Sequence, residues 1–502
     1  MTRARVSALS VGLCLTIILA SVATAYGAFG FLTSVKPYAV PVGDEYELKP
    51  LLSVGDTVPE TSNRAKRYQF VGIPDGLGLA RIEGKQSVFV NHELTRPTTS
   101  EPVIGDPLNR GAFVSKYRIA RDGSIISGER AYDTVYNENT LVGPAADSTN
   151  ATSAFARLCS GFMADWKVGF SEPIYLAGEE SSGSDTFDGR GGQSVAIYDN
   201  EAHVLPKFGR FPWENQVVIP YTGRKTVVIG LEDGPSTPDS QLYMYVGTKV
   251  RGASSVLRRN GLDNGKLYVF ADPAHTSEGD FQNGSTTGKW VEIPGAENLT
   301  DVQLEAASDA VGAFGFIRSE DGAANPLVPG QFHFVTTGSS FPAVGSEYDK
   351  LGRVYRLNVN VLNPTAAAKL TVIVNADDVI DAGGDTAISG DNVAVNGRYL
   401  MVQEDGTAES RPVMGAKGRD GSIWRFDLWN SYAAERVVSL DPPGRDGVAV
   451  GPGVWETSGI IDTTLEFGLD SWLFDVQAHR PTGTPAPNTV EDGQLLLMRP
   501  KR

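Results

Sequence analysis

The sequence predicts an all-β chain folded as one large β-propeller of six blades with inserted loops. Three observations lead there. Apolar or alternating runs of three to five residues recur along the chain, bounded by Gly, Asp, Asn and Pro. No long stretch shows a helical period. The chain, at 502 residues, is too long for a single sandwich, yet no composition shift marks a linker. With 41% hydrophobic and 21% charged residues the composition is that of a globular protein, and 56 Gly and 29 Pro suit many turns.

Taken from the N-terminus, Met1–Ser10 carries Arg3 and Arg5 and no acid, Val11–Ala20 is a short apolar run, and Ala23-Thr24-Ala25 is a small-x-small site. This is the pattern of a secretory signal peptide over residues 1–25, followed by a single domain over 26–502. The apolar run is short for a membrane span. The expected location is therefore secreted or periplasmic, with no stable span after cleavage. Strand signals follow at Ser87–Val90, Thr226–Ile229, Leu242–Val246, Phe332–Val335 and Val354–Leu357. They continue at Tyr399–Val402, Ser422–Phe426, Trp472–Phe474 and Leu495–Met498.

Strand ends carry a weak repeat. Apolar runs terminate in acids at Glu93, Glu179-Glu180, Glu232-Asp233, Glu320-Asp321 and Glu404-Asp405, with Asp475 as a sixth, more polar case. The intervals between lead acids are 86, 53, 88, 84 and 71 residues. Equivalent strand ends of a propeller converge on its channel, so these carboxylates would meet and require a compensating cation. Each cluster taken singly also reads as ordinary turn chemistry. The stretch Asp377 to Asp391 is acidic and Gly-rich without EF-hand spacing and reads as a solvated loop.

The net charge of -16 argues against nucleic acid and against anionic membranes as partners. A small phosphorylated substrate remains compatible if metal ions intervene. With Cys14 in the signal segment, Cys159 is alone in the mature chain, so it is either a small buried apolar residue or a thiolate ligand. His92 and His479 flank strand ends and read as structural. No nucleophile elbow, zinc-protease motif or complete Walker A loop occurs.

The order of short motifs resembles the PhoX-type alkaline phosphatases over most of the chain from about residue 65. It runs through Asn91-His92-Glu93, Cys159-Ser160-Gly161, Gly178-Glu179-Glu180 and Gly209-Arg210-Phe211-Pro212-Trp213-Glu214. Leu231-Glu232-Asp233, Arg318-Ser319-Glu320-Asp321-Gly322, Gly390-Asp391-Asn392 and Gln477-Ala478-His479 continue it. The chain is expected to be a monomer. The resemblance implies a phosphomonoesterase with Ca2+ and Fe3+ in the propeller channel. It implies Cys159 as an iron ligand and Glu93, Glu214 and Glu320 as ligands of iron or calcium. Glu179, Glu180, Glu232, Asp233, Asp321 and Glu404 are further candidates, either to bind calcium or to support the residues that do, and Arg318 is a candidate catalytic contact to phosphate. Hard oxygen ligands suit calcium, and a thiolate among carboxylates can hold iron. Two other functions fit the same residues: a non-catalytic calcium-stabilised binding propeller, and hydrolysis of phytate or a phosphodiester.

Overall fold

The computed structural model describes residues 30–234, 239–339, 349–406, 412–441, 452–479 and 486–501. The signal segment read at residues 1–25 lies outside them. Among the described residues no helix is long and apolar enough to cross a membrane. The architecture is all-β and propeller-like, and all nine strand signals fall inside observed strands.

Six strands organise the molecule. They are β1 (Pro74–Ile82), β2 (Leu158–Ala164), β3 (Trp213–Val218), β4 (Ser319–Ala324), β5 (Gly390–Val395) and β6 (Glu456–Asp462). Each is an edge strand of its sheet and pairs antiparallel with the next strand in sequence. Each also packs against its successor, and β6 packs against β1, so the six close a ring. Tyr46–Ser53 pairs with Asp492–Pro500, the last strand, which ties an early and a late segment of the chain into one sheet. The sheets that begin at β3 and β4 merge into nine strands. Ser285–Glu292 bridges them, pairing at one half with Lys266–Ala271 and at the other with Ala368–Asn375.

The second strand of each set is a central strand buried on both faces, and its sequence says so. Lys225–Glu232 (KTVVIGLE) is buried at every position after the first, as expected for a β-branched run covered on both sides. Side chains from adjacent sheets interlock. Ile229, Met244 and Phe270 meet Phe316, Phe334 and Tyr355 in one cluster, with Phe334 stacked on Tyr355 at 4.9 Å. Each such fully buried side chain contributes roughly 1.5–3 kcal/mol. Trp213, Trp455 and Trp472 are fully buried, while Trp166 and Trp429 are exposed.

The six inner strands share a second feature. Every one has a register shift near its start, between Pro74 and Leu77, Leu158 and Gly161, Trp213 and Asn215, Ser319 and Gly322, Gly390 and Val393, and Ser458 and Ile460. A bulge bends the strand and re-aims a side chain. In four cases the residue just before the strand is left-handed: Ile73, Arg157, Arg318 and Ser389 have φ of 41°, 42°, 56° and 53°. Recurrence at one position marks this as the turn by which the chain enters the ring.

One strand expectation is corrected. Phe314–Ile317, the apolar run that precedes Glu320-Asp321 in sequence, makes among the described residues only isolated bridges, Ser240 with Phe316 and Ser277 with Gly315. The strand itself begins at Ser319, so Glu320 and Asp321 sit at the start of an inner strand rather than after the end of a second one.

Candidate metal centre

Where the inner strands begin, the ring encloses a cavity of about 310 Å³. Two rows of residues wall it. The first comes from the strand starts: Asp75, Cys159, Glu214, Glu320, Asp391 and Glu456 are each the first or second residue of β1 to β6. The second comes from the residue just past four second strands: Glu93, Glu180, Asp233 and Asp405. Nine carboxyl groups and one thiol thus face two guanidinium groups, Arg157 and Arg318, with Gln477 and His479 at the side.

Three overlapping trios bring ligand atoms within 4.8 Å of one another: Asp75–Glu93–Cys159, Cys159–Glu180–Glu214 and Glu214–Glu320–Asp391. Cys159 and Glu214 are shared, so the trios form one chain across the cavity. Burial first, and mutual repulsion second, hold Asp75, Glu214 and Asp391 well above the usual carboxyl range. Burial is likewise the main cause at Glu180 and Glu320, which Arg157 and Arg318 relieve only in part. Burial and the surrounding acids also push the Cys159 thiol up, and its Sγ donates to Asp75 Oδ2 at 3.3 Å. A multivalent cation is the natural compensation for such a set.

The two arginines differ. Arg318 uses Nε and Nη2 on Asp233, Nη2 on Glu320 and Nη1 on Asp405. Arg157 places only Nη2 between Glu93 (2.8 Å) and Glu180 (2.5 Å) and keeps 45% of its side chain exposed.

Of the residues named from sequence, Glu93, Cys159, Glu180, Glu214, Asp233, Arg318 and Glu320 line this cavity, and Glu179, Glu232, Asp321 and Glu404 do not. Glu179 accepts the backbone N–H groups of Ala156, Phe187 and Gln193. Glu232 accepts from Gln241 N. Asp321 accepts from Asn215 and from the backbone of Gly322 and Val393. Glu404 is bound by Arg419, Trp424 and Ile388 N. Each braces a neighbouring loop or strand. Asp391, read as part of a solvated loop, is 8% exposed and lies in the cavity. His92 is a structural residue between Gly72 O and Ser115 Oγ, and burial lowers its pKa to about 4. His479 instead borders the cavity between Glu456 and Glu491. Asp75, Arg157 and Glu456 were not named from the sequence, and Asp405 was named there as a strand-end acid but not as a ligand.

No family model matches the chain. The ATP-dependent RNA helicase dbp10 of Sclerotinia sclerotiorum is 31% identical over 131 residues, which is 26% of this chain and 14% of the length of that relative. Among solved structures, PhoX of Pseudomonas fluorescens, in complex with the transition-state analogue vanadate, superposes with a TM-score of 0.65 over 94% of this chain and 98% of that one, at 15% identity. The fold is therefore PhoX-like. A looser likeness, TM-score 0.41 and 12% identity over 89% of this chain and 98% of the other, is to an α-L-arabinanase of Penicillium chrysogenum complexed with arabinobiose.

Proposed function

We propose that this protein is an exported, monomeric, metal-dependent phosphomonoesterase whose centre lies on the axis of a six-bladed propeller. The observation that carries the reading is the chain of three carboxylate and thiol trios in one buried cavity. The donor set fits calcium and ferric iron: many hard oxygens, and a single sulfur shared by two trios. Cys159, Asp75, Glu93, Glu180 and Glu214 would hold the metals at one side, and Glu320 and Asp391 at the other. When bound, such ions neutralise the carboxylates, polarise phosphoryl oxygens and lower the pKa of water.

The protein's own residues then bind and orient. Arg157 is the better phosphate contact, because among the described residues its Nε and Nη1 take no partner and it stands at the mouth. Arg318 serves as a positioning residue that spaces Asp233, Glu320 and Asp405. The wall offers no serine aligned with a histidine base, and phosphoryl transfer needs none if positioning and charge stabilisation are supplied. The test is hydrolysis of p-nitrophenyl phosphate by the calcium- and iron-loaded protein at alkaline pH, together with the iron content of Cys159→Ala. Turnover in the wild type and loss of both iron and activity in the variant are expected. No turnover in the loaded wild type, or full activity in the variant, would overturn the reading.

A further inference from the structure

Below the cavity, one contact recurs between neighbouring members of the ring, and one instance of it is chemically inverted. Asn91, on the strand Lys85–His92, donates Nδ2 to the Cys159 and Ser160 carbonyls at the start of β2. Gln403, on Tyr399–Glu404, donates Nε2 to the Ser458 carbonyl of β6. In both, a side-chain amide satisfies a carbonyl of the next inner strand. Asp475, on Trp472–Ala478, holds the corresponding place at the joint between β6 and β1. A Cβ built on Gly76 would lie 2.7 Å from Asn91 Nδ2 and 2.4 Å from Ser160 C. A Cβ built on Gly459 would lie 3.1 Å from Asp475 Oδ1 and 2.4 Å from Asp75 O. A carboxylate cannot donate, so at this joint oxygen faces oxygen.

The consequence is a group of buried acceptors with no donor. Asp475 is fully buried, and among the described residues neither of its oxygens has a hydrogen-bond partner. Asp75 Oδ1, Gln403 Oε1 and Gln477 Oε1 are also buried and unpartnered. Glu179 and Glu404 are equally buried on second strands, yet several donors satisfy each. Leaving a buried carboxylate without proton, donor or cation costs several kcal/mol.

We propose that a hard cation of the calcium class binds between Asp475 and Asp75, beneath the cavity and distinct from any ion held by the three trios. The ligands would be the Asp475 carboxylate, Asp75 Oδ1 and the Asp75 carbonyl. An all-oxygen set suits calcium and disfavours thiophilic metals. Gly459 keeps the gap open, since any side chain there would enter it. The ion would fasten β6 to β1, the joint that closes the ring, and this role does not depend on the hydrolase reading.

The test is Asp475→Asn in the full chain, which installs the amide that Asn91 and Gln403 already use. Calcium equivalents are counted by titration of the metal-stripped protein, and thermal unfolding is followed with and without calcium. The variant is expected to bind one equivalent fewer and, in chelator, to melt at or above the wild-type temperature, because its amide can donate to the Asp75 carbonyl. Equal calcium equivalents in the two proteins overturn the proposal, whatever the phosphatase activity, and leave a proton or a water at Asp475. If the variant does not fold, calcium-soaked crystals of the wild type decide. Density about 2.3–2.6 Å from Asp475 supports the site, and its absence refutes it.

Discussion

Glu404→Gln distinguishes a loop brace from a metal ligand at the same residue. The Glu404 side chain is fully buried. Arg419 Nη1 lies 2.8 Å and 2.6 Å from its two oxygens, and Oε1 also accepts from Trp424 Nε1 at 3.0 Å and Ile388 N at 2.9 Å. Glutamine keeps an oxygen for these donors, but it removes the charge and turns an N–H2 toward the guanidinium. Arg419 retains Asp385, which is 3.4 Å away and 41% exposed. Losing one partner of a buried ion pair costs about 3–5 kcal/mol, and the charge-assisted hydrogen bond within it about 1.5–3 kcal/mol. With the acceptor partly preserved and Asp385 still present, the expected loss is about 3 kcal/mol. That is a large share of the roughly 5–15 kcal/mol that holds a domain folded. Urea unfolding of the metal-stripped proteins measures the loss, and elemental analysis of the native proteins measures metal content. The expected outcome is an earlier midpoint at unchanged metal content. Reduced metal content with an unchanged midpoint would show that Glu404 is a ligand after all.

Two further outcomes follow from other parts of the ring. Glu278 is fully buried, and burial, then Asp349, raise its carboxyl to about 8 against the pull of Arg353. A raised acid favours the folded state fully below its unfolded value near 4.5, and that contribution is lost as pH climbs to about 8. The stability difference between wild type and Glu278→Gln should therefore fall across this window by up to about 1.4 kcal/mol per pH unit, and a flat difference would refute the assignment. Gly76→Ala would set a Cβ 2.3 Å from Gly161 N and 2.4 Å from Ser160 C, both backbone atoms of the neighbouring inner strand. A loss of about 3 kcal/mol or failure to fold is expected, and wild-type stability on denaturant titration would show that the strands do not approach so closely.

The strands were legible because central strands buried on both faces must be apolar, and Lys225–Glu232 and Gln331–Thr336 are unmistakable on that ground. The cavity was legible only to within one residue. In the pairs Glu179-Glu180 and Glu232-Asp233 the sequence offers two acids, and in a pleated strand consecutive side chains point to opposite sides. Without a partner strand to fix the parity, both were named. The structure turns Glu180 and Asp233 into the cavity and Glu179 and Glu232 away from it. At Glu320-Asp321 the choice reverses, because that pair begins an inner strand. The inner row was harder still. Asp75, in Pro74-Asp75-Gly76, reads as a turn, and Asp391, in Gly390-Asp391-Asn392, as a polar loop. Their orientation depends on the bulge that each strand start carries, and a bulge is a property of two paired strands. A usable signal does exist: Asp75-Gly76, Cys159-Ser160, Glu214-Asn215, Glu320-Asp321, Asp391-Asn392 and Ser458-Gly459 each put a ligand-type or hydroxyl residue before a small or polar one, ahead of an apolar strand. Aligned on the bulge, the six-fold series places Ser458 where the other five carry an acid or a thiol, and the acid that β6 gives the cavity, Glu456, lies two residues earlier. At that same joint Gly459 lacks a side chain and Asp475 lacks a donor. The departure of the sixth member from the series therefore coincides with the joint at which Asp475 has no donor and Gln477 Nε2, on Asp75 Oδ2 at 3.1 Å, makes the side-chain hydrogen bond across it.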